Sequence, residues 1–136
     1  SLGGAPRVVA AQGHSFSDVP VKCLHLINLA TVRDLARVAG RPIDPLRFRA
    51  NVYFDGVEPW SEFKWLDRDL SIGGAKLTVF KRTQRCEATN VDPATAARDM
   101  AIPALLQRTW GHTDVGIYAK VATDGKISNG DAVTVL

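Results

Sequence analysis

One thiol set among cations is the feature of this 136-residue sequence best able to do chemistry. The run Arg82-Thr83-Gln84-Arg85-Cys86-Glu87-Ala88-Thr89-Asn90-Val91-Asp92-Pro93 puts Cys86 at the mouth of a strand, then turns through polar residues into Asp-Pro. A cation beside a cysteine favours the thiolate, the form that attacks sulfur or ligates a soft metal. If the segment stays extended, Cys86 shares a face with Gln84 and Arg82 while Arg85 points the other way. Arg82 is then the simpler cationic partner, and Arg85 needs a bend to reach the sulfur. A free cysteine also serves as a small buried hydrophobe, and residue type alone favours that reading.

Upstream, Arg47, Arg49 and Asn51 alternate with Phe48 and Ala50. On an extended segment the three polar residues share one face. Two guanidiniums and an amide make a receptor for phosphate, because arginine donates in a planar fork; a solvated face with surface ion pairs is the blander alternative. Thr89, Asn90 and Asp92 form a polar turn in which Asp92, before Pro93, is a natural cap. Such a turn also aims backbone N–H groups at an anion. His14, His25 and His112 lack metal-ligand spacing, so zinc is not expected, and His25 in an apolar strand reads as a satisfied histidine. There is no P-loop, dinucleotide fingerprint or nucleophile elbow.

The elements that must position these residues are mostly short strands. Arg7 to Ala11, Lys22 to Asn28, Ala50 to Phe54, Lys76 to Arg82, Val115 to Val121 and Ala132 to Leu136 read as strands. Asp55-Gly56, Gly73-Gly74 and Asp124-Gly125 read as turns, the last as a hairpin turn. Thr31, with Asp34 three positions on, predicts a helix start; Val32, Leu35, Ala36 and Ala39 line one face, and Gly40 with Pro42 ends it. A second helix is predicted from Pro103 to Trp110, with Gly111 past its end. Pro59 to Leu70 carries Trp60, Phe63 and Trp65, read as a loop with strand pieces over one end of the core; a stacking platform is the alternative. Many short strands with few helices predict a mainly β fold, a closed β-barrel with peripheral α-helices.

Composition narrows the class. The length suits a single domain, residues 1–136, able to bury a core without metal or disulfide staples. Ordinary hydrophobic content argues against disorder, and no apolar run is long enough for a membrane span. Two cysteines do not make a disulfide framework; free thiols in a cytoplasmic protein are expected, with pairing in an oxidising compartment as the alternative. A net charge of +3 suits an anionic small molecule better than nucleic acid, which needs a concentrated basic patch. No secretory signal is expected from Ser1-Leu2-Gly3-Gly4-Ala5-Pro6. The numbering does not open on Met, which points to a processed chain or a piece of a longer one.

Taken together, three ordered motifs resemble the MOSC domain, the C-terminal domain of molybdenum cofactor sulfurases. Phe16-Ser17-Asp18-Val19-Pro20 and the helix from Thr31 resemble the approach to the family's R-F-R-P-N segment, here Arg47-Phe48-Arg49-Ala50-Asn51. The C-x-R-C-x-x-T-x-V-D-P-x-T-G segment corresponds to Thr83 through Ala96, and G-x-I-x-x-G-D-x-V to Gly125 through Val133, after an aromatic strand at Gly116-Ile117-Tyr118. The branch most similar in pattern includes the mitochondrial amidoxime-reducing component and its bacterial relatives. The resemblance implies a barrel of the pyruvate kinase type and a molybdenum cofactor (molybdopterin). It implies that Cys86 ligates molybdenum or carries persulfide sulfur, that Arg47, Arg49 and Asn51 hold the pterin phosphate, and that Arg85, Thr89 and Asp92 shape the pocket. The implied activity is reduction of N-hydroxylated substrates or sulfur and cofactor transfer, with a cysteine desulfurase or an electron-transfer protein as partner. No pyridoxal phosphate site, nucleic-acid partner or membrane is implied. A barrel that keeps the fold but only binds anions or proteins is the alternative. Thr83 replaces a family cysteine and rules out a vicinal dithiol, Ala50 replaces Pro, and Ala96 replaces Gly. Relatives in this branch also carry an N-terminal β-barrel domain that helps enclose the cofactor, which this stretch does not include.

Overall fold

Two parallel strands need a crossover, and here the crossover is helical. In a computed structural model that describes residues 5–11 and 23–136, β2 (Cys23–Asn28) pairs in parallel with β3 (Val52–Asp55), Leu26 opposite Val52. Helix α1 (Leu29–Ala39) begins directly after β2 and carries the chain across. Phe16 to Pro20, and His14, lie outside the described residues.

The remaining pairings are antiparallel. β1 (Arg7–Ala11), β4 (Asp69–Ile72), β5 (Ala75–Gln84), β6 (Asp114–Thr123) and β7 (Val133–Val135) complete a seven-stranded sheet in the order β1-β3-β2-β6-β5-β4-β7. Its two edges nearly meet: Val8 N–H donates to the Asp131 carbonyl at 2.8 Å and Val133 N–H to the Pro6 carbonyl at 2.7 Å. The result is a nearly closed barrel, the mainly β architecture expected, in which edge strands find partners. Among the described residues no helix is long and apolar enough to cross a membrane.

Alternation along the strands sorts two cores. Leu24, Leu26, Val52, Phe54, Leu77, Val79 and Ile117 fill the barrel interior with Leu70 and Ile72. Trp65 caps it, stacked on Phe54 with ring centroids 5.3 Å apart. On the outside of β2 and β6, Ile27 and Val115 pack with Leu35 of α1, Phe48, and Ile102 and Leu106 of α2 (Ile102–Trp110). Both faces of β2 are therefore buried, which is why its sequence reads as a continuous apolar run.

Several local expectations shift. Asn28, not Thr31, caps α1, its side chain accepting from Ala30 N–H. Thr31 is buried and donates to Glu62 at 2.8 Å. Asp124-Gly125 does not close a hairpin, because β6 pairs with β2 and β5 while β7 joins β4. Gly125 instead lies against Gly74: a Cβ there would stand 2.2 Å from the Gly74 carbonyl. Asp69–Ile72 is a full strand that begins in the last two residues of the stretch expected as a loop with strand pieces, Pro59 to Leu70.

Glu62, wholly buried, ties α1 to the 3-10 turn Ser61–Trp65: it accepts from Asn28 Nδ2 at 3.0 Å and from Thr31 Oγ1. Burial pushes its carboxyl above the ordinary range, against the pull of those two hydrogen bonds. The folded state thus holds this proton more tightly than the unfolded chain does. Its contribution to stability is fully present below the ordinary carboxylate range and is lost as pH rises through the raised folded value. Urea unfolding from about pH 4 upward should therefore show wild type losing stability relative to Glu62→Gln, which cannot ionise. Parallel profiles would contradict this.

Candidate functional site

The thiol is presented where β5 leaves the barrel wall. Arg85 N–H makes one more ladder-like bond, to the Thr113 carbonyl at 2.8 Å, and the chain then bends. Cys86, extended, opens the 3-10 turn Glu87–Asn90. Thr89 fixes that turn by donating to the Cys86 carbonyl from both its N–H (3.2 Å) and its hydroxyl (2.8 Å). With its backbone held this way, Cys86 is exposed on a cleft of about 270 Å³ outside the barrel.

Arg47, Arg49, Arg85 and Thr89 line the same cleft, joined by His25, Thr83 and Tyr118. Asn51 and Asp92 do not line it. Asn51 Oδ1 accepts from His25 N–H at 2.8 Å, while Asn51 N–H donates to the His25 carbonyl at 2.9 Å. Asp92 caps its own turn, accepting from Ala94 N–H at 2.8 Å.

The single extended face expected for Arg47, Arg49 and Asn51 is not what forms. Pro45–Phe48 is a 3-10 turn, started by Pro45 and capped by Asp44, and Arg49 follows it in the left-handed region with φ 50°. A non-glycine residue there costs on the order of 1 kcal/mol. The three side chains consequently diverge. Arg47, 6% exposed, holds both oxygens of Asp99 at 2.8 Å and the Thr89 carbonyl at 3.3 Å. That pairing, with Arg41 also on Asp99, holds the Asp99 carboxyl below its ordinary range. Arg49 remains exposed, with no ion pair among the described residues.

Arg82 is not the partner of Cys86. Irregular pairing between β5 and β6 at Val79/Lys81 and again at Arg82/Gln84 breaks the strict alternation that would have aligned them. Arg82 pairs with Asp114 at 2.9 Å and lies 3.9 Å over the Phe63 ring. Arg85 takes its place through the bend. Its Nε donates to the Val115 carbonyl at 2.9 Å and Nη1 to the Phe48 carbonyl at 3.1 Å, while Nη2 meets His25 Nε2. Burial lowers the Arg85 pKa to about 10, opposed by charge at Tyr118 and then at Cys86. The nearby Asp114 carboxylate is ion-paired with Arg82, and no carboxylate among the described residues is bonded to Arg85.

His25 is the residue that sequence reasoning missed. It is buried, and its ring lies 5.0 Å from that of Tyr118. A signal for it exists only at long range, in Gly116. With φ 90°, Gly116 leaves room where a Cβ would stand 2.8 Å from His25 Nε2.

The cleft's donors suit an anion. Arg49 is unpaired, and Arg47 Nε and Thr83 Oγ1 are buried without partners among the described residues. No cluster of three or more His, Cys, Asp or Glu suited to a metal occurs among those residues. The exposed Cys86 thiol is the atom that would ligate the metal of a metal-carrying anion held by these donors. The residues present fit such a group.

A family model described as MOSC domain matches residues 13–134. The chain belongs to the MOSC domain family. Among solved structures, YiiM from Geobacillus stearothermophilus is similar at TM-score 0.64 and 20% identity, covering 96% of this chain and 60% of that one. YiiM from Escherichia coli aligns at TM-score 0.63 and 20% identity, covering 98% and 63%. YuaD protein from Bacillus subtilis aligns at TM-score 0.61 and 15% identity, covering 95% and 83%. The chain thus spans 60% and 63% of the two YiiM proteins. No curated protein matches the sequence at a significant level.

Two departures from the MOSC pattern acquire physical meaning. Ala50, in the place of Pro, donates its N–H to Tyr53 Oη at 3.0 Å, a bond proline cannot make. Ala96, in the place of Gly, still adopts φ 60° and carries the strain of a Cβ there. The local electrostatics are testable through Cys86. Arg85→Met should slow its alkylation by iodoacetamide at neutral pH by roughly threefold or more, with Cys23 as the internal control. An unchanged rate would remove Arg85 from the chemistry of the thiol.

Proposed function

We propose that this MOSC domain binds the molybdenum cofactor in the Cys86 cleft, with the Cys86 thiolate as molybdenum ligand or as sulfur carrier. The observation that carries the reading is the exposed thiol beside a half-buried guanidinium that, among the described residues, has no carboxylate bonded to it, in a cleft also lined by Arg49, which has no ion pair among those residues. When bound, the cofactor supplies two-electron redox chemistry, the protein supplying ligand, orientation and electrostatics. Arg49, projecting from its left-handed turn, is the side chain free to hold a phosphate in a charge-assisted bond. Arg47 offers only Nε, because the rest of its guanidinium is spent on Asp99 and Thr89. Thr83 offers its hydroxyl from the cleft floor.

Two roles follow from the same geometry. Serving reduction of N-hydroxylated substrates, as in the amidoxime-reducing branch, Cys86 holds the metal and an electron-transfer protein supplies electrons. Serving sulfur transfer, the Cys86 thiolate attacks the outer sulfur of a donor persulfide; an S–S bond forms at Cys86 and the donor thiolate leaves, as from a cysteine desulfurase. With Thr83 in place of a second cysteine, release of that sulfur falls to an external thiol or acceptor. Cys23 and Cys86 as free thiols suit a reducing, cytoplasmic setting.

A second reading, an anion-binding or protein-interaction barrel without chemistry, is favoured by the internal engagement of Arg47 and Asn51. Molybdenum analysis separates the two. Protein purified from a cofactor-producing host should carry molybdenum, Cys86→Ser should lose most of it, and Arg49→Ala should retain it about tenfold less tightly, as for one lost charge-assisted hydrogen bond. Equal metal in wild type and Cys86→Ser would reject ligation by Cys86.

A further inference from the structure

His25 belongs to no motif, yet the groups that shape the cleft converge on it. Asn51 brackets its backbone with two hydrogen bonds and so sets its position along β2. Gly116 leaves space for its Nε2, and Tyr118 packs against the ring. Nε2 meets Arg85 Nη2. A guanidinium only donates, so Nε2 accepts, the ring is neutral and its proton sits on Nδ1. We propose that His25 is the positioning residue of the cleft: its Nε2, placed by the Asn51 bracket and the space left by Gly116, aims Arg85 beside Cys86.

Burial, reinforced by the Arg85 charge, lowers the ring's pKa to about 3, so the ring is neutral at neutral pH. Asn51, implied as a direct ligand by the resemblance, then acts one step back, through His25. The proposal rests on the cleft being the anion site described above, but its test does not require a bound cofactor.

Heteronuclear NMR and iodoacetamide alkylation of Cys86 would be compared in wild type, His25→Gln and His25→Asn, with thermal midpoints as the control for folding. Gln places an oxygen near the Nε2 position and can accept from Arg85, whereas Asn reaches only the Nδ1 position. At neutral pH, wild-type His25 should be the neutral Nδ1–H tautomer. The Arg85 Nε–H resonance should be sharp in wild type and His25→Gln but broadened by exchange in His25→Asn. Alkylation should fall roughly threefold or more in His25→Asn and return to within about twofold of wild type in His25→Gln. A charged or Nε2–H ring in wild type, or identical behaviour of the two variants, would overturn the proposal. The expected NMR pattern in a chain that carries no molybdenum would count against the cofactor reading alone.

Discussion

A half-buried guanidinium held by two backbone carbonyls and an imidazole, with no carboxylate among the described residues bonded to it, constrains everything around Cys86. Burying an unpaired charge costs several kcal/mol, and Arg85 offsets that cost through donor geometry alone. Nε reaches β6 at Val115, Nη1 reaches the turn at Phe48, and Nη2 reaches β2 at His25. Three elements distant in sequence are thereby held to one plane of nitrogens. The residual positive charge is left beside the thiol, and no carboxylate among the described residues is bonded to it.

Arg47 illustrates the opposite solution. Its charge is met by both oxygens of Asp99, so the pair joins the 3-10 turn at 45–48 to the segment before α2 and contributes architecture. Arg49, two residues on, is turned outward by a strained backbone and has no ion pair among the described residues. Two arginines separated by a single residue thus divide into a scaffold and an exposed cation. The division comes from the 3-10 turn, which rotates successive side chains by about a third of a turn instead of alternating them.

The barrel itself was readable because its signals are local. β1, β2 and β6 follow from apolar and β-branched runs bounded by turn residues, α1 from helical periodicity ended by Gly40, and α2 from Pro103 in its first turn and Gly111 past its end, both glycines observed in the left-handed region. The misreadings fall where a distant group intervenes. Thr31 looks like a cap but is claimed by Glu62, which leaves capping to Asn28. Asp124-Gly125 looks like a hairpin turn, but β6 has both edges occupied by β2 and β5, so β7 must pair elsewhere.

The thiol at Cys86 keeps the place the sequence suggested, while its cationic neighbour changes from Arg82 to Arg85. That exchange depends on irregular β5–β6 pairing and a bend, neither of which has a residue signature strong enough to read locally. By itself the sequence determined residue chemistry, the strand and helix periods, and the ordered motifs that carry the MOSC resemblance. Only the tertiary structure decided which charges are spent and which are free, and it alone brought His25 to Arg85. Those outcomes depend on contacts between residues 26 to 60 positions apart, whose partners are set by packing and not by neighbours in the chain.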